Sequence, residues 1–355
     1  MLLINPSLLE GVRNSTKLED LFFYVQKAIE LEHSTIPPYL TAMLSIMPEK
    51  NKEVYQLIHS VVIDEMLHMA IDSNILNALG GHPAIDKPEF IPSYPGPLPM
   101  GINEGLIVNL EMLTKDVVKN TFMEIEEPEN PIDFPIKMSA MGMRAEQFAT
   151  IGQYYAAIKD KIDELANDKL PGDPSLQMTT SFYPPDQLFP IYTKEDAKRA
   201  IDIIVEQGEG TTSSPIRPGG GIAHYYRFNE VYLGKRLVED PGSELGYAYE
   251  GTLPFNQSEV FPISKNTKLS ELPNGTQDEK EIKLMAEEFA YYYSKLLHGL
   301  HRTFNGEPSF INNTLGLMYD IKLIGQKLAA TPFPGRPGQT VGAPFEFTDV
   351  FRGKA

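Results

Sequence analysis

The sequence predicts a mainly α-helical protein: a four-helix bundle with long loop insertions and extra C-terminal helices. Three observations predict it. Apolar residues recur every three or four positions over long stretches, as one face of an α-helix requires. Proline is abundant, with 29 residues, and falls mostly in blocks between those stretches. The 355 residues, 42% hydrophobic and 22% charged, are enough to bury a substantial core.

The elements follow in order. The first helical pattern starts near Ser15, with Thr16 as a candidate cap, and reaches about Met47; Phe22, Val25, Ile29, Ile36, Leu40 and Met43 mark its inner face. Pro37-Pro38 should kink or interrupt it. The second helix runs from about Lys52 to Leu79 and is stopped by Gly80-Gly81. The Pro/Gly-rich segment from Pro83 to about Gly105 is too long for a simple connector and is expected to fold over the bundle. Leu106 to Glu124 reads as a short helix, followed by a loop from Glu126 to Pro135. A third long helix is expected over about Ser139 to Ala166. After the loop Asp168 to Pro190 comes a helix from about Lys194 to Gln207. The Gly/Ser/Pro loop Gly208 to Gly221 leads to another helix, near Ile222 to Leu237. Asp240 to Asn274 carries short β-like runs. Helices at about Asp278 to Phe304 and Ser309 to Ala330, then a tail expected along the surface, close the chain. The absence of repeats favours one unit over 1–355, with a bundle core at about 15–237 and a C-terminal extension at about 238–355 packed on it.

A formal charge of −17, from 48 acidic and 31 basic residues, argues against nucleic acid or an anionic membrane surface as a partner. With no cysteine there is no disulfide, zinc–thiolate site or thiol nucleophile. Neither a basic, apolar leader at Met1 to Glu10 nor a membrane-length apolar run is present, so a cytoplasmic location is expected.

The chemistry centres on Glu65-Met66-Leu67-His68. Residues three apart share a helical face, so this carboxylate and imidazole can reach one ion. They lie between Val61 and Ile75 on an apolar stripe, where charge is costly unless compensated. Taken alone, such a tetrapeptide more often sits on a solvated face. Glu32 shifts that balance. It breaks the apolar stripe of the first helix at an inward position, and Glu65 follows it by 33 residues. With a turn near Pro48 to Asn51 the two face each other across an antiparallel hairpin. One Glu with a neighbouring Glu-x-x-His is half of a di-metal carboxylate site. No second Glu-x-x-His follows. The third helix offers Glu146 and Gln153, the fourth Glu206 and Glu209, and His224 shares a face with Phe228 and Val231. Matching levels along the helices favours Glu206 and His224 as ligands, leaves Gln153 facing the site, and makes Glu146 a ligand only if the centre is displaced toward it. Asp72, also on the inner stripe, is expected to orient His68 or another ligand, with a partly exposed acid as the competing explanation.

These residues sit in recognisable segments. Leu31-Glu32-His33 with Ile36-Pro37-Pro38-Tyr39-Leu40, Asp64-Glu65-Met66-Leu67-His68-Met69 and Asn77-Ala78-Leu79-Gly80-Gly81 come first. Thr150-Ile151-Gly152-Gln153-Tyr154-Tyr155, Glu206-Gln207-Gly208-Glu209-Gly210 and His224-Tyr225-Tyr226-Arg227-Phe228 follow. Together they resemble the ferritin-like domain of iminophenyl-pyruvate dimer synthases, and the resemblance covers most of the chain. It implies a ferritin-like bundle with non-haem iron, one or two ions, acting on a small, aromatic amino-acid-derived substrate in secondary metabolism. Enzymes of that family couple two oxidised aromatic amino acid imines in bisindole pigment and indolocarbazole biosynthesis. Gln153 stands where members often carry Glu; a neutral amide is a weaker ligand and leaves room for a single metal.

A carboxylate/histidine set with open positions suits iron with dioxygen or peroxide; manganese and zinc satisfy the same donors. The expectation is an oxidoreductase whose pocket is lined by Tyr39, Tyr154, Tyr225 and Tyr226, with Arg227 or Arg144 holding a substrate carboxylate. Ordinary core packing competes as the explanation for each tyrosine. The alternative is a non-catalytic metal-binding module, or an accessory to a partner biosynthetic enzyme; a homo-oligomer is compatible with either. His298 and His301 read as structural, and Gly219-Gly220-Gly221 lacks the Lys-Ser/Thr of a phosphate-binding loop.

Overall fold

Asn5 starts the first element: its side chain accepts the Ser7 N–H at 3.0 Å and caps α1 (Pro6–Arg13), a helix the sequence pattern did not suggest. The computed structural model describes residues 4–102, 105–128, 132, 150–208, 214–216 and 220–349. α2 (Leu21–Ser45) runs unbroken through Pro37 and Pro38, contrary to the expected interruption. Each proline removes a donor to the carbonyl four residues back. One of those carbonyls, Ser34, accepts instead from the Tyr94 hydroxyl at 2.7 Å. Tyr94 belongs to the Pro/Gly-rich segment after α3, which buries Phe90, Tyr94, Leu98 and Met100 against the bundle as expected.

α3 (Lys52–Leu79) returns antiparallel to α2 and ends at Gly80, whose φ of 98° favours glycine. Residues 106–114 are not helical; Val108 bridges Gly96 instead. The helix expected there is shorter: α4, residues 115–125, is capped by Thr114 and contains a π-helical turn at Val118–Phe122. The expected third long helix is described from its C-terminal part, α5 (Ile151–Leu165), capped by Thr150. α6 is Lys194–Gly208. α2 packs on α3 and α5, and α6 packs on α3 and α5, closing a four-helix ring. α7 (His224–Leu233) lies against α3 and α4. Within the expected β-like range Tyr247–Glu250 forms a strand, β2, which pairs with β1 (Arg236–Glu239), a strand that begins where the preceding helix was expected to end, with Arg236 opposite Glu250.

α8 (Gln277–Phe304) and α9 (Ile311–Ala329) form a second helical hairpin on the outer face of α2 and α3. Thr276 and Glu279 cap α8 reciprocally. The tail lies along the surface over 334–340 and then turns inward over 341–345. Phe333, Val341, Ala343 and Phe345 are buried, and the Phe345 ring stands 5.1 Å from Phe289 and 5.0 Å from Tyr293. Among the described residues no helix is long and apolar enough to cross a membrane.

Candidate metal centre

The hairpin of α2 and α3 is level-matched. Glu32 stands thirteen residues before the end of α2 and Glu65 thirteen after the start of α3. Both are buried, as is His68. Glu32, Glu65 and His68 bring ligand atoms within 4.8 Å of one another. A second group, Glu65, Glu126 and His224, meets the same limit, so Glu65 is common to both.

Glu126 follows α4 directly, and the π-helical turn in α4 sets which way the chain leaves that helix. His224 is the first residue of α7 and is fully buried. Its Nδ1 lies 2.9 Å from Glu65 Oε1 and 3.3 Å from Glu126 Oε2. Its Nε2 lies 3.2 Å from Asp64 Oδ2, which also accepts from the Arg227 guanidinium at 2.9 Å. His68 is held alike: Nδ1 is 3.3 Å from Glu32 Oε2, and Nε2 is 3.0 Å from Gln207 Oε1. With acceptors on both Nε2 atoms, the two imidazoles donate there and turn Nδ1 toward the carboxylates. The rings stack 5.6 Å apart.

Each carboxylate is itself positioned. The Tyr39 hydroxyl donates to Glu126 Oε1 at 2.5 Å, and Thr35 Oγ1 lies 3.0 Å from Glu65 Oε2. The Tyr155 hydroxyl is 2.7 Å from Glu32 Oε1 and 2.8 Å from Asp72 Oδ2. One hydroxyl carries one proton, so it donates to Glu32 while a protonated Asp72 donates to it. Burial, then the nearby Glu32 charge, pushes the Asp72 carboxyl well up, consistent with that proton. For Glu32 burial acts upward too, but the His68 hydrogen bond and charge, with Tyr155, hold it below the usual range. Burial and then the charge of Glu126 push Glu65 up to about 8. Burial opposes a charge on His224, yet Glu126, Asp64 and Glu65 raise it well above its ordinary value. Glu32 likewise raises His68 against burial.

The expected residues divide. Glu32, Glu65, His68 and His224 come together, and Asp72 reaches another of these donors, Glu32, through the Tyr155 hydroxyl. The structure does not bring Glu206 to this centre, a correction to the expected set. The buried face of α6 is Ala197, Ala200, Ile201, Ile204 and Gln207, so the next residue turns inward. One position is about 100° of helical rotation. Gln153 also faces elsewhere, lining a surface cleft with Arg13 and Asp160, while Tyr155 is the α5 side chain that enters the centre. Arg227 is engaged by Asp64, by Ser60 Oγ and by the Ile222 carbonyl, so it braces the centre instead of presenting a free guanidinium. Tyr154 donates to the Tyr24 carbonyl, and the Tyr226 hydroxyl accepts from Ile132. Glu146, Glu209 and Arg144 lie outside the described residues. His298 and His301 meet Asp86 at 3.4 Å each, half-buried and apart from the centre.

Glu126, Asp64, Tyr155, Thr35 and Gln207 were missed as site residues. For Gln207 the signal was available: it is the one polar residue continuing the apolar stripe of α6. The described walls border a cavity of about 50 Å³, lined on its apolar side by Leu31, Ile125, Ile151 and Ile204.

Comparison with known proteins places this geometry. The family model described as ferritin-like matches residues 25–233. A solved structure, a ferritin like protein from Caulobacter vibrioides, is similar over 92% of this chain and 97% of that chain, with 22% identity and a TM-score of 0.54. At that identity the likeness speaks for the fold. No curated protein matches.

Proposed function

Because the chain belongs to the ferritin-like family, we propose that it holds one or two non-haem iron ions among Glu32, Glu65, His68, Glu126 and His224 and acts as an oxidoreductase on a small substrate. The observation that carries this reading is Glu65, one carboxylate shared by two buried carboxylate–imidazole groups. The donors fit a divalent cation. Glu32, Glu65, Glu126, Asp64 and Asp72 crowd a buried space against Arg227 and two imidazoles, and Glu65 is pushed up to about 8 by burial first and then by the charge of Glu126. A cation would offset charge that burial otherwise penalises. Carboxylate oxygen with imidazole nitrogen suits iron, and manganese or zinc as well.

Bound iron would supply one-electron chemistry with dioxygen or peroxide. The chain's own groups orient the donors. Asp64 and Gln207 fix the imidazoles, Tyr39 fixes Glu126, and Tyr155 fixes Glu32 while holding a proton between it and Asp72. Leu31, Ile125, Ile151 and Ile204 give the cavity an apolar flank beside the donors. The resemblance to iminophenyl-pyruvate dimer synthases supports an aromatic amino-acid-derived substrate. The alternative reading is metal held without turnover for a partner enzyme.

Iron-loaded protein given an aromatic 2-imino acid should consume dioxygen or peroxide over many turnovers. Glu65→Ala and His68→Ala should lose both metal and turnover while keeping helical circular dichroism. Full metal retention in both variants removes the reading; stoichiometric iron without turnover selects the accessory module.

A further inference from the structure

A second cavity, of about 370 Å³, lies on the opposite face of the α2–α3 hairpin, where α8 and α9 cover it. α2 shows how the faces separate: Glu32 turns to the metal centre, while His33, Ile36, Leu40 and Met43 turn to this cavity. On α3, Glu65 and His68 face one way and Met66 and Met69 the other. The α3 wall runs from His59 to Ala70, about 16 Å along the helix. Protein interiors close-pack, and voids of this size are not left in them by default.

Three features of the wall define what it takes. It is overwhelmingly apolar, and five methionines (Met43, Met66, Met69, Met178 and Met318) give it an adaptable surface. The Tyr293 hydroxyl and His33 Nε2 pair across 2.7 Å, while the buried His33 Nδ1 has no partner among the described residues. In a chain of net charge −17, no carboxylate lines the cavity among the described residues. Among the described residues its one permanent cation is Lys322, which forms no ion pair with them; the ammonium rests 5.5 Å over the Tyr55 ring. His59, exposed and stacked on that same ring, stands beside it. One edge of a long apolar chamber therefore carries unneutralised positive charge.

We propose that this cavity is a binding site for a monocarboxylic acid with an extended apolar chain, the chain lying along α3 between the two helical hairpins and the carboxylate meeting Lys322 and His59. The site is separate from the metal centre and does not depend on the function proposed for it. Its ligand lies behind the α2–α3 hairpin, out of reach of the metal-binding carboxylates.

Calorimetric titration of the full chain with dodecanoate tests this. One equivalent should bind saturably, and methyl dodecanoate, which lacks the charge, should bind at least tenfold more weakly. Lys322→Glu should weaken dodecanoate at least tenfold and leave the ester unchanged. Leu315→Trp, which fills the chamber from α9, should abolish both, with metal content as in the parent protein. Absence of saturable dodecanoate binding overturns the proposal. So does equal affinity for acid and ester, or dodecanoate binding that neither variant alters. Lys322→Glu, a change at the chamber's edge, keeps the test decisive should Leu315→Trp fail to fold.

Discussion

At the scale of single residues, burial makes the donors recognisable. An acid on an apolar stripe is legible because nothing but a compensating partner tolerates it there. Glu32 and the pair Glu65/His68 are such residues, and the hairpin arithmetic places them at one level. Glu126 gave no such signal. It follows a short helix whose π-helical turn breaks the 3.6-residue period on which stripe-reading depends. Glu206 illustrates the opposite error, since its neighbour Gln207 carries the periodicity and the acid does not. The distinction can be measured. Glu126→Ala should cut the metal bound per chain by half or more, while Glu206→Ala leaves it unchanged, as read by elemental analysis after dialysis. Metal loss in the Glu206 variant alone would reverse the assignment.

At the scale of elements, the sequence marked the long helices and misjudged their interruptions. α8 shows a clear period because it buries one face, whereas α2 and α3 are legible as long apolar helices, buried on both faces of their hairpin. Pro37-Pro38 looked like a break because sequence shows the lost donors but not the tyrosine that arrives from a loop about sixty residues away. The Tyr94 hydroxyl at the Ser34 carbonyl is one device that lets α2 continue. Tyr94→Phe should leave that carbonyl buried without this partner and cost about 1–3 kcal/mol in denaturant unfolding. Metal content should fall as well if the α2 backbone shifts Glu32. An unchanged midpoint would mean that α2 needs no such support. The inward part of the tail was misread for a related reason: Phe333 and Phe345 are spaced by prolines and glycines, so their burial shows no period.

At the scale of the whole molecule, the bundle and the centre are coupled through charge. Glu65 has an ordinary value of 4.5 and is pushed to about 8 in the metal-free fold. Between those values the folded chain holds a proton that the unfolded chain does not, so stability falls as pH rises through this window. His68 and His224, held above their ordinary 6.5, act in the same direction; Glu32, held low, titrates below it. A cation displaces the Glu65 proton and reverses the trend. The melting temperature of metal-free protein should therefore drop from about pH 6 to about pH 8, while that of loaded protein should not, so that the gap widens. At a hundredfold excess over Kd the bound ion should add about 2.7 kcal/mol. A gap independent of pH, by scanning calorimetry in both states, would contradict this coupling. The order in which the donors enter the chain has a final consequence. Glu32, Glu65 and His68 all lie within one local hairpin, whereas Glu126 and His224 arrive from elements that must travel far along the sequence to dock. Short-range contacts assemble early and long-range ones late. A growing polypeptide thus possesses one coordinating half while the other is still being made.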